Sequence, residues 1–157
     1  MGALPDGLQD GGTRYVTGLD GLPVESRQRA MGPVLYDLRD QLGSTRGVVD
    51  TAGVVVASYA YDAYGVRHAR SGTVVTPFGF AGQHTDAETG LLYLRTRSYD
   101  PAAAQFLSVD PLLSMTGQPY VYADGDPLNQ VDLAGLCSLP WWVRAGVGVA
   151  GVAGLVI

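Results

Sequence analysis

The stretch RGVVDTAGVVVASYAYD, residues 46–62, decides the fold of this chain. Two valines lead into Asp50-Thr-Ala-Gly53, and a run of valine, serine and tyrosine follows as far as Tyr61. Aspartate accepts hydrogen bonds from the backbone of its own turn, and glycine adopts the positive φ that tight turns require. β-Branched and aromatic residues on both sides of such a turn predict a β-hairpin.

Similar turn sequences recur on both sides of this hairpin: LDGLP at 19–23, YDAYG at 61–65, RSG at 70–72 and DAETG at 86–90. The segment LLYLRTRSYD then alternates with period two, which predicts a strand over 91–99. Tyr-Asp pairs occur at Tyr36, Tyr61 and Tyr99. We therefore predict a mainly β fold in which antiparallel hairpins cover 15–99, preceded by a loop at 1–14.

Composition narrows the classes of function. The 157 residues are 46% hydrophobic and carry 10 Lys+Arg against 15 Asp+Glu, a net charge of −5. Nucleic-acid binding normally needs a basic patch, so we expect no nucleic-acid partner. One cysteine excludes an internal disulfide, and His68 and His84 stand alone, so we expect neither a metal nor a cofactor. We see no signal peptide in this chain, because its start lacks a basic segment and an apolar run.

Carboxylates gather in the stretch SVDPLLSMTGQPYVYADGDPLNQVDLAGLC, residues 108–137. Two carboxylates that lie close together titrate as a coupled pair, and one can act as a base while the other acts as an acid. Asp110 and Asp132 are the candidates, because glycines and prolines between them allow the chain to double back. Asp-Pro is also a common turn starter, which is the plain structural reading of Asp110. We interpret Asp124 and Asp126 as turn residues.

Taken in order, these segments resemble the C-terminal end of Rhs/YD-repeat proteins. The stretch YDLRDQLGSTRGVVDTAGVVVASYAYDAYGV, 36–66, resembles the YD-repeat hairpins, and PFGFAGQHTDAETGLLYLRTRSYDPAAAQFLSVDP, 77–111, is similar to the Rhs repeat-associated core. The stretch YVYADGDPLNQVDLAGL, 120–136, matches the closing motif of that core. The C components of insecticidal Tc toxins are built on the same plan.

The resemblance implies a specific fold and activity. The hairpins would form part of a hollow β-shell, and 100–136 would be an irregular core plug at its closing end. An aspartyl autoprotease, acting once through Asp110 and Asp132, would cut between Leu136 and Cys137 and free a C-terminal effector. Such a polymorphic toxin serves interbacterial competition. It is secreted or displayed on the cell surface as part of a larger bacterial protein, so the partners expected are the rest of the shell and an immunity protein.

This sequence departs from the family pattern near both aspartates. Leu133 stands where the family usually has proline, so Asp132 loses a conformational restraint. Val109 stands where some relatives have an arginine that would hold the first carboxylate. These two differences predict slow or absent cleavage.

The segment 137–157 differs sharply from the rest of the chain. It is apolar after Arg144, contains small residues at spacings of four, and carries Trp141 and Trp142, which suit a membrane interface. We interpret it as the start of a variable effector, either a membrane-active toxin with a helical tail and membrane contact through 141–157 or a hydrophobic passenger that needs the shell to stay soluble. The alternative is an apolar tail that packs against the sheet.

Other readings of the chain stay open at this point. Cys137 offers a rival, sulfur-based cleavage route. The alternative function is a non-catalytic β-scaffold that presents or anchors the hydrophobic tail at a membrane or cell surface. A third reading, carbohydrate binding by exposed tyrosines, rests only on their number.

Overall fold

The computed structural model describes residues 9–10, 12–18, 22–28, 32–136 and 138–140. Most of the predicted loop at 1–14, together with Cys137 and the apolar tail at 141–157, lies outside the described residues. No helix in the described part of the chain is long and apolar enough to cross a membrane.

The first sheet of the described residues is antiparallel, and its strands follow one another in sequence order. The strands are β1 (Gln9–Asp10), β2 (Thr13–Thr17), β3 (Pro23–Gln28), β4 (Val34–Arg39), β5 (Thr45–Asp50), β6 (Val55–Tyr61) and β7 (Arg67–Gly72). Each strand pairs with the next along the chain. The prediction of a mainly β, antiparallel hairpin fold is confirmed.

One turn sequence, which we call the Asp-x-x-Gly turn, closes the hairpins of the second half of this sheet. It occurs at 40–43, 50–53 and 62–65. In each case the glycine has positive φ and its N–H donates to the aspartate carbonyl, while the aspartate Oδ1 accepts two further backbone N–H groups. The turn residues therefore satisfy their own backbone, and the hairpin predicted around 50–53 is confirmed.

A second, smaller sheet follows, in the order β11-β10-β9-β8. Its strands are β8 (His84–Thr85), β9 (Leu92–Tyr93), β10 (Ser98–Asp100) and β11 (Gln105–Phe106). After it come helix α1 (Leu113–Thr116), the strand β12 (Gln130–Val131) and its antiparallel partner β13 (Leu139–Pro140). Two 3₁₀ helices, Phe80–Gly82 and Ala123–Gly125, complete the elements.

The continuous strand predicted over 91–99 is wrong. The chain reverses between β9 and β10, which pair with each other so that Ser98 lies opposite Tyr93. Arg95 takes a left-handed φ of 67°, and the N–H of Leu94 donates to the Arg97 carbonyl. The turn contains no glycine or proline that would have marked it in the sequence. Its side chains instead contact the segment 133–135, and this long-range contact is invisible to local periodicity.

In the part of the chain that the structure describes, two clusters of buried side chains form the core. The smaller cluster lies on one face of the first sheet and contains Leu35, Val48, Ala57 and Tyr59. The larger cluster joins the second sheet to the closing segments through Leu42, Phe80, Ala81, Leu92, Leu94, Tyr99, Phe106, Tyr122, Ala123, Val131 and Leu133. Tyr61 packs against both clusters, so the two sheets share a continuous apolar interior.

Hydrogen bonds also join the larger cluster and its neighbouring residues to residues in and beside the hairpin turns of the first sheet. The Tyr99 hydroxyl donates to the Tyr64 carbonyl at 2.9 Å, and the Thr45 hydroxyl donates to the Phe78 carbonyl at 2.8 Å. The Ser44 hydroxyl accepts the N–H of Ala81 at 2.9 Å. Buried polar groups satisfied in this way fix the orientation of one sheet on the other.

Candidate functional site

The two candidate aspartates lie on the same buried arginine. Nη2 of Arg97 is 3.4 Å from Oδ2 of Asp110 and 3.4 Å from Oδ2 of Asp132. All three residues are buried, with exposed fractions of 3%, 5% and 1%. The two carboxylate oxygens are therefore separated by no more than twice that distance, inside the protein. The fold brings together residues that the sequence places far apart.

Three short strands carry these side chains to one point. Arg97 directly precedes β10, Asp110 follows the segment that continues β11, and Asp132 follows β12. The guanidinium of Arg97 stacks on the ring of Phe106, with Cζ 3.6 Å from the ring centroid. This cation–π contact holds the guanidinium between the carboxylates and leaves its N–H groups free to point at oxygen atoms.

Asp132 begins another Asp-x-x-Gly sequence, at 132–135, in which the glycine N–H donates to the aspartate side chain. Its Oδ1 accepts the backbone N–H groups of Ala134, Gly135 and Leu136 at 3.2, 2.7 and 3.1 Å. Oδ2 is left to face Arg97. One oxygen of this carboxylate therefore builds the turn, and the other faces the buried charge.

Asp110 divides its two oxygens in the same way. Its Oδ1 accepts the N–H of Leu112 at 2.7 Å, as expected of an aspartate that starts a turn. Its Oδ2 faces Arg97 and lies 3.3 Å from the hydroxyl of Thr116, which belongs to α1. The turn-starter reading of Asp110 and its place beside Arg97 are therefore compatible.

Burial raises the pKa of Asp132 from 3.8 to about 6. The N–H groups of Leu136 and Gly135 are the largest opposing influences, followed by Arg97 and the N–H of Ala134. Desolvation outweighs all of these stabilising contacts. A raised pKa on a buried carboxyl group is typical of groups that transfer protons.

The segment that follows Asp132 is held along its carbonyl groups by the turn between β9 and β10. Arg97 Nε donates to the Gly135 carbonyl at 2.6 Å, and the Thr96 hydroxyl donates to the Ala134 carbonyl at 2.5 Å. Arg95 donates to the Leu133 carbonyl. Three successive residues of the turn thus bind three successive peptide groups of the segment.

The other aspartates of this region make local contacts or are exposed. Asp126 accepts two hydrogen bonds from the Asn129 amide, and Asp124 is exposed on its 3₁₀ helix at a φ of 50°. Asp100 accepts backbone N–H groups of its own turn. Among the residues that the structure describes, no group of three or more His, Cys, Asp and Glu is placed to hold a metal ion. Cys137, the residue after the expected cut, is not one of the described residues.

Arg97 was not among the candidate residues predicted from the sequence. Some relatives have an arginine at the position before Asp110, where Val109 stands, and Val109 is exposed. The cation beside Asp110 is instead Arg97, which lies in the turn where the sequence predicted a continuous strand. A signal was available, since an arginine within an apolar, alternating segment must be paired if it is buried. Leu133, the other departure, is a buried core residue, so packing restrains the chain where the family has proline.

Comparison with known proteins places the chain in a family. The Teneurin YD-shell family model matches residues 27–124. Salivary gland surface protein 1 of Aedes aegypti is 39% identical over 123 residues, which cover 76% of this chain and 4% of that protein. Double-stranded DNA deaminase toxin A of Burkholderia cenocepacia is 34% identical over 119 residues, covering 72% of this chain and 8% of that protein.

A solved structure agrees with these sequence matches. The crystal structure of TcdB2-TccC3-Cdc42 superposes with a TM-score of 0.70 at 22% identity, over 79% of this chain and 6% of that one. The chain therefore belongs to the Rhs/YD-repeat family, with the YD-shell fold that is also found in Tc toxins. It spans less than a tenth of the length of the relatives named here. Because one relative is by its name a DNA deaminase, the expected absence of a nucleic-acid partner stays a prediction about this chain alone.

Proposed function

We propose that this chain is the closing region of an Rhs/YD-repeat toxin and that it cuts itself once, after Leu136, to release a C-terminal effector. The observation that supports this proposal is the placement of two buried aspartates on one arginine, directly beside the segment that contains the bond. A carboxylate pair inside the protein offers both an acid and a base at the place where the substrate is covalently attached.

In this reaction a water molecule attacks the carbonyl carbon of Leu136, and the bond to the nitrogen of Cys137 breaks. The ionised carboxylate accepts a proton from the water. The protonated carboxyl donates its proton to the leaving nitrogen, so one water is consumed and a new carboxyl group and a new amine are formed. We assign the proton-holding role to Asp132, because its pKa is raised to about 6, and the base role to Asp110.

Arg97 balances the charge of this arrangement. A second carboxylate beside the first would otherwise be costly to ionise in the protein interior. Nη2 lies 3.4 Å from an oxygen of each carboxylate, so its positive charge offsets the repulsion between them. Arg97 also holds the Gly135 carbonyl, next to the proposed bond.

The wider context follows from the family. We propose that the chain functions within a longer, secreted or surface-displayed toxin, whose remaining shell is its principal partner and whose effector is neutralised by an immunity protein. The chain's similarity to a deaminase toxin and to a Tc complex supports this context. The expected membrane contact through 141–157 lies outside the described residues.

Intact-mass measurement of the freshly purified chain tests the proposal. The wild-type chain should yield a species that ends at Leu136 and a separate peptide 137–157. Asp110→Asn and Asp132→Asn should each remain uncut. Asp124→Asn is the matched control, because that aspartate is exposed and on its own turn, and it should be cut like the wild type.

Other outcomes identify the competing readings. One uncut mass for the wild type would refute self-cleavage by this chain and leave the β-scaffold function. Cleavage that survives both asparagine variants but disappears in Cys137→Ala would replace the carboxylate mechanism with the sulfur route.

A further inference from the structure

Gln83 and Arg95 form a joint contact with one peptide group of the segment after Asp132. Gln83 is 3% exposed, and its Nε2 lies 3.4 Å from the Leu133 carbonyl oxygen. Arg95 donates to the same oxygen, and its Nη1 lies 3.4 Å from Oε1 of Gln83. The amide and the guanidinium therefore orient each other on a single carbonyl.

Thr96 binds the next carbonyl twice. Its hydroxyl donates to Ala134 at 2.5 Å, and its backbone N–H donates to the same oxygen at 3.2 Å. Arg95 holds a left-handed φ of 67°, a conformation that costs free energy for a residue with a side chain. This strained backbone is what turns the side chains of 95–97 toward the segment.

We propose that Gln83, Arg95 and Thr96 are positioning residues that set which peptide bond is presented to the carboxylates. This inference rests on the proposed self-cleavage. Asp132 Oδ1 holds the N–H side of residues 134–136, and the β9–β10 turn holds the carbonyl side of 133–135. The segment is thus fixed on both sides, and the first carbonyl beyond the turn's three contacts belongs to Leu136, at the proposed cut.

Gln83, Arg95 and Thr96 affect cleavage by positioning the segment, because they contact the peptide groups before the cut. A segment free to slide by one residue would present a different bond. Misplacement by about 1 Å costs on the order of 100-fold in rate when geometry controls the reaction. The prediction is therefore a slower reaction with less precise products, rather than a shift in the pH at which the carboxylates titrate.

The test uses Thr96→Val and Arg95→Met in the full chain, singly and together. Both side chains are partly exposed, which favours folding of the variants. The matched controls are Thr51→Val, in the exposed turn at 50–53, and Arg67→Met, at an exposed site in β7. Processing is followed by pulse-chase during cell-free synthesis, and the cut position is read by intact mass. Amide hydrogen exchange of 134–136 is measured in an Asp110→Asn background, where the chain stays intact.

We expect the double variant to be processed about 10- to 100-fold more slowly, to give additional products cut at neighbouring bonds, and to exchange the 134–136 amides faster. The controls should match the wild type in all three readouts. The proposal is overturned if the variants are processed at the wild-type rate with one cut position. It is also overturned if the rate falls only in step with unfolding while the cut position stays single. A wild-type chain that is never cut refutes the proposed function itself, and the positioning role with it.

Discussion

Arg97 and Asp132 hold the same four-residue turn from opposite sides. Nη2 of the arginine lies 3.4 Å from Oδ2 of the aspartate, while its Nε donates to the carbonyl of Gly135, the last residue of that turn. Asp132 Oδ1 meanwhile accepts the N–H of the same glycine at 2.7 Å. The carboxylate, the cation and the peptide segment therefore contact one another directly, and a change at any of them should affect the other two.

Replacing Arg97 with methionine should destabilise the chain strongly. The change leaves two buried carboxylates and a carbonyl without their cation, which typically costs about 3–5 kcal/mol of unfolding free energy. The loss should be smaller at pH 5 than at pH 8, because protonation of Asp132 below its pKa of about 6 removes part of the unpaired charge. Urea unfolding at the two pH values measures both effects.

The control for this change is Arg46→Met. Arg46 pairs with Asp40 at 2.7 Å, but the arginine side chain is 41% exposed. Exposed ion pairs contribute only about 0–1 kcal/mol, so this variant should lose little. Equal losses for the two variants would mean that Arg97 is not a buried charge partner of the two aspartates.

The rate of self-cleavage should depend on pH through Asp132. If Asp132 supplies the proton, the rate should be highest at pH values where its carboxyl is protonated. It should then fall about 10-fold per pH unit well above the pKa of about 6. Processing followed by intact mass between pH 5 and pH 8 measures this profile. A rate that instead rises through pH 6 would assign the base role to Asp132.

Gly135→Ala should damage both the fold and the site. Gly135 has a φ of 70°, and an added Cβ would lie 2.9 Å from the Leu94 carbonyl oxygen and 3.0 Å from the Arg97 nitrogen, both backbone atoms. Gly117 has a similar φ of 67° but nothing within 4 Å of the added Cβ. Gly117→Ala should therefore cost only the conformational term, about 1–2 kcal/mol.

The crowding at Gly135 should add a further cost of about 1–3 kcal/mol. Urea unfolding of both variants measures the difference between them, and intact mass shows whether cleavage is lost at Gly135 alone. If the two variants lost the same unfolding free energy, the close approach of 94–97 to this turn would be wrong.

Asp37 should make the chain less stable as pH rises. Burial raises its pKa from 3.8 to about 6, against a smaller opposing effect of Arg39, and neither carboxylate oxygen has a hydrogen-bond partner among the described residues. Because the folded pKa is the higher one, the favourable contribution of the protonated form is full below pH 4 and is lost through pH 6. Asp37→Asn, neutral at every pH, should gain about 1–3 kcal/mol relative to the wild type between pH 4 and pH 8.

Chemical unfolding of both proteins across this pH range checks the prediction. Asp124→Asn serves as the comparison, because that aspartate is exposed. A constant difference between Asp37→Asn and the wild type at all pH values would show that Asp37 ionises normally in the folded chain.

The predictable parts of this molecule are those that short-range chemistry determines. The turn from Asp50 to Gly53 could be predicted because its hydrogen bonds lie within five residues and its glycine supplies the positive φ that the turn requires. The reversal at 94–97 could not, since its stabilising contacts are with carbonyl groups almost forty positions later in the chain. Arg97 was missed for the same reason. Its neighbours Phe106, Asp110 and Asp132 come from two later parts of the chain, in and after β11 and after β12.

The candidate aspartates occupy an intermediate position. Family motifs pointed to Asp110 and Asp132, and the structure places both beside one cation. Their electrostatic setting was not predictable. Two carboxylates alone would repel each other, whereas an arginine beside both offsets that repulsion.

The Asp-x-x-Gly sequence that closes hairpins of the first sheet also contains Asp132. At 40–43, 50–53 and 62–65 it lies between paired strands, and its glycine N–H donates to the aspartate carbonyl. At 132–135 the same sequence is mostly buried, and the glycine N–H donates to the aspartate side chain. A protein built from such repeats can therefore use one short sequence for two purposes: to connect neighbouring strands, and to place a carboxylate in the interior beside an arginine and a second acid.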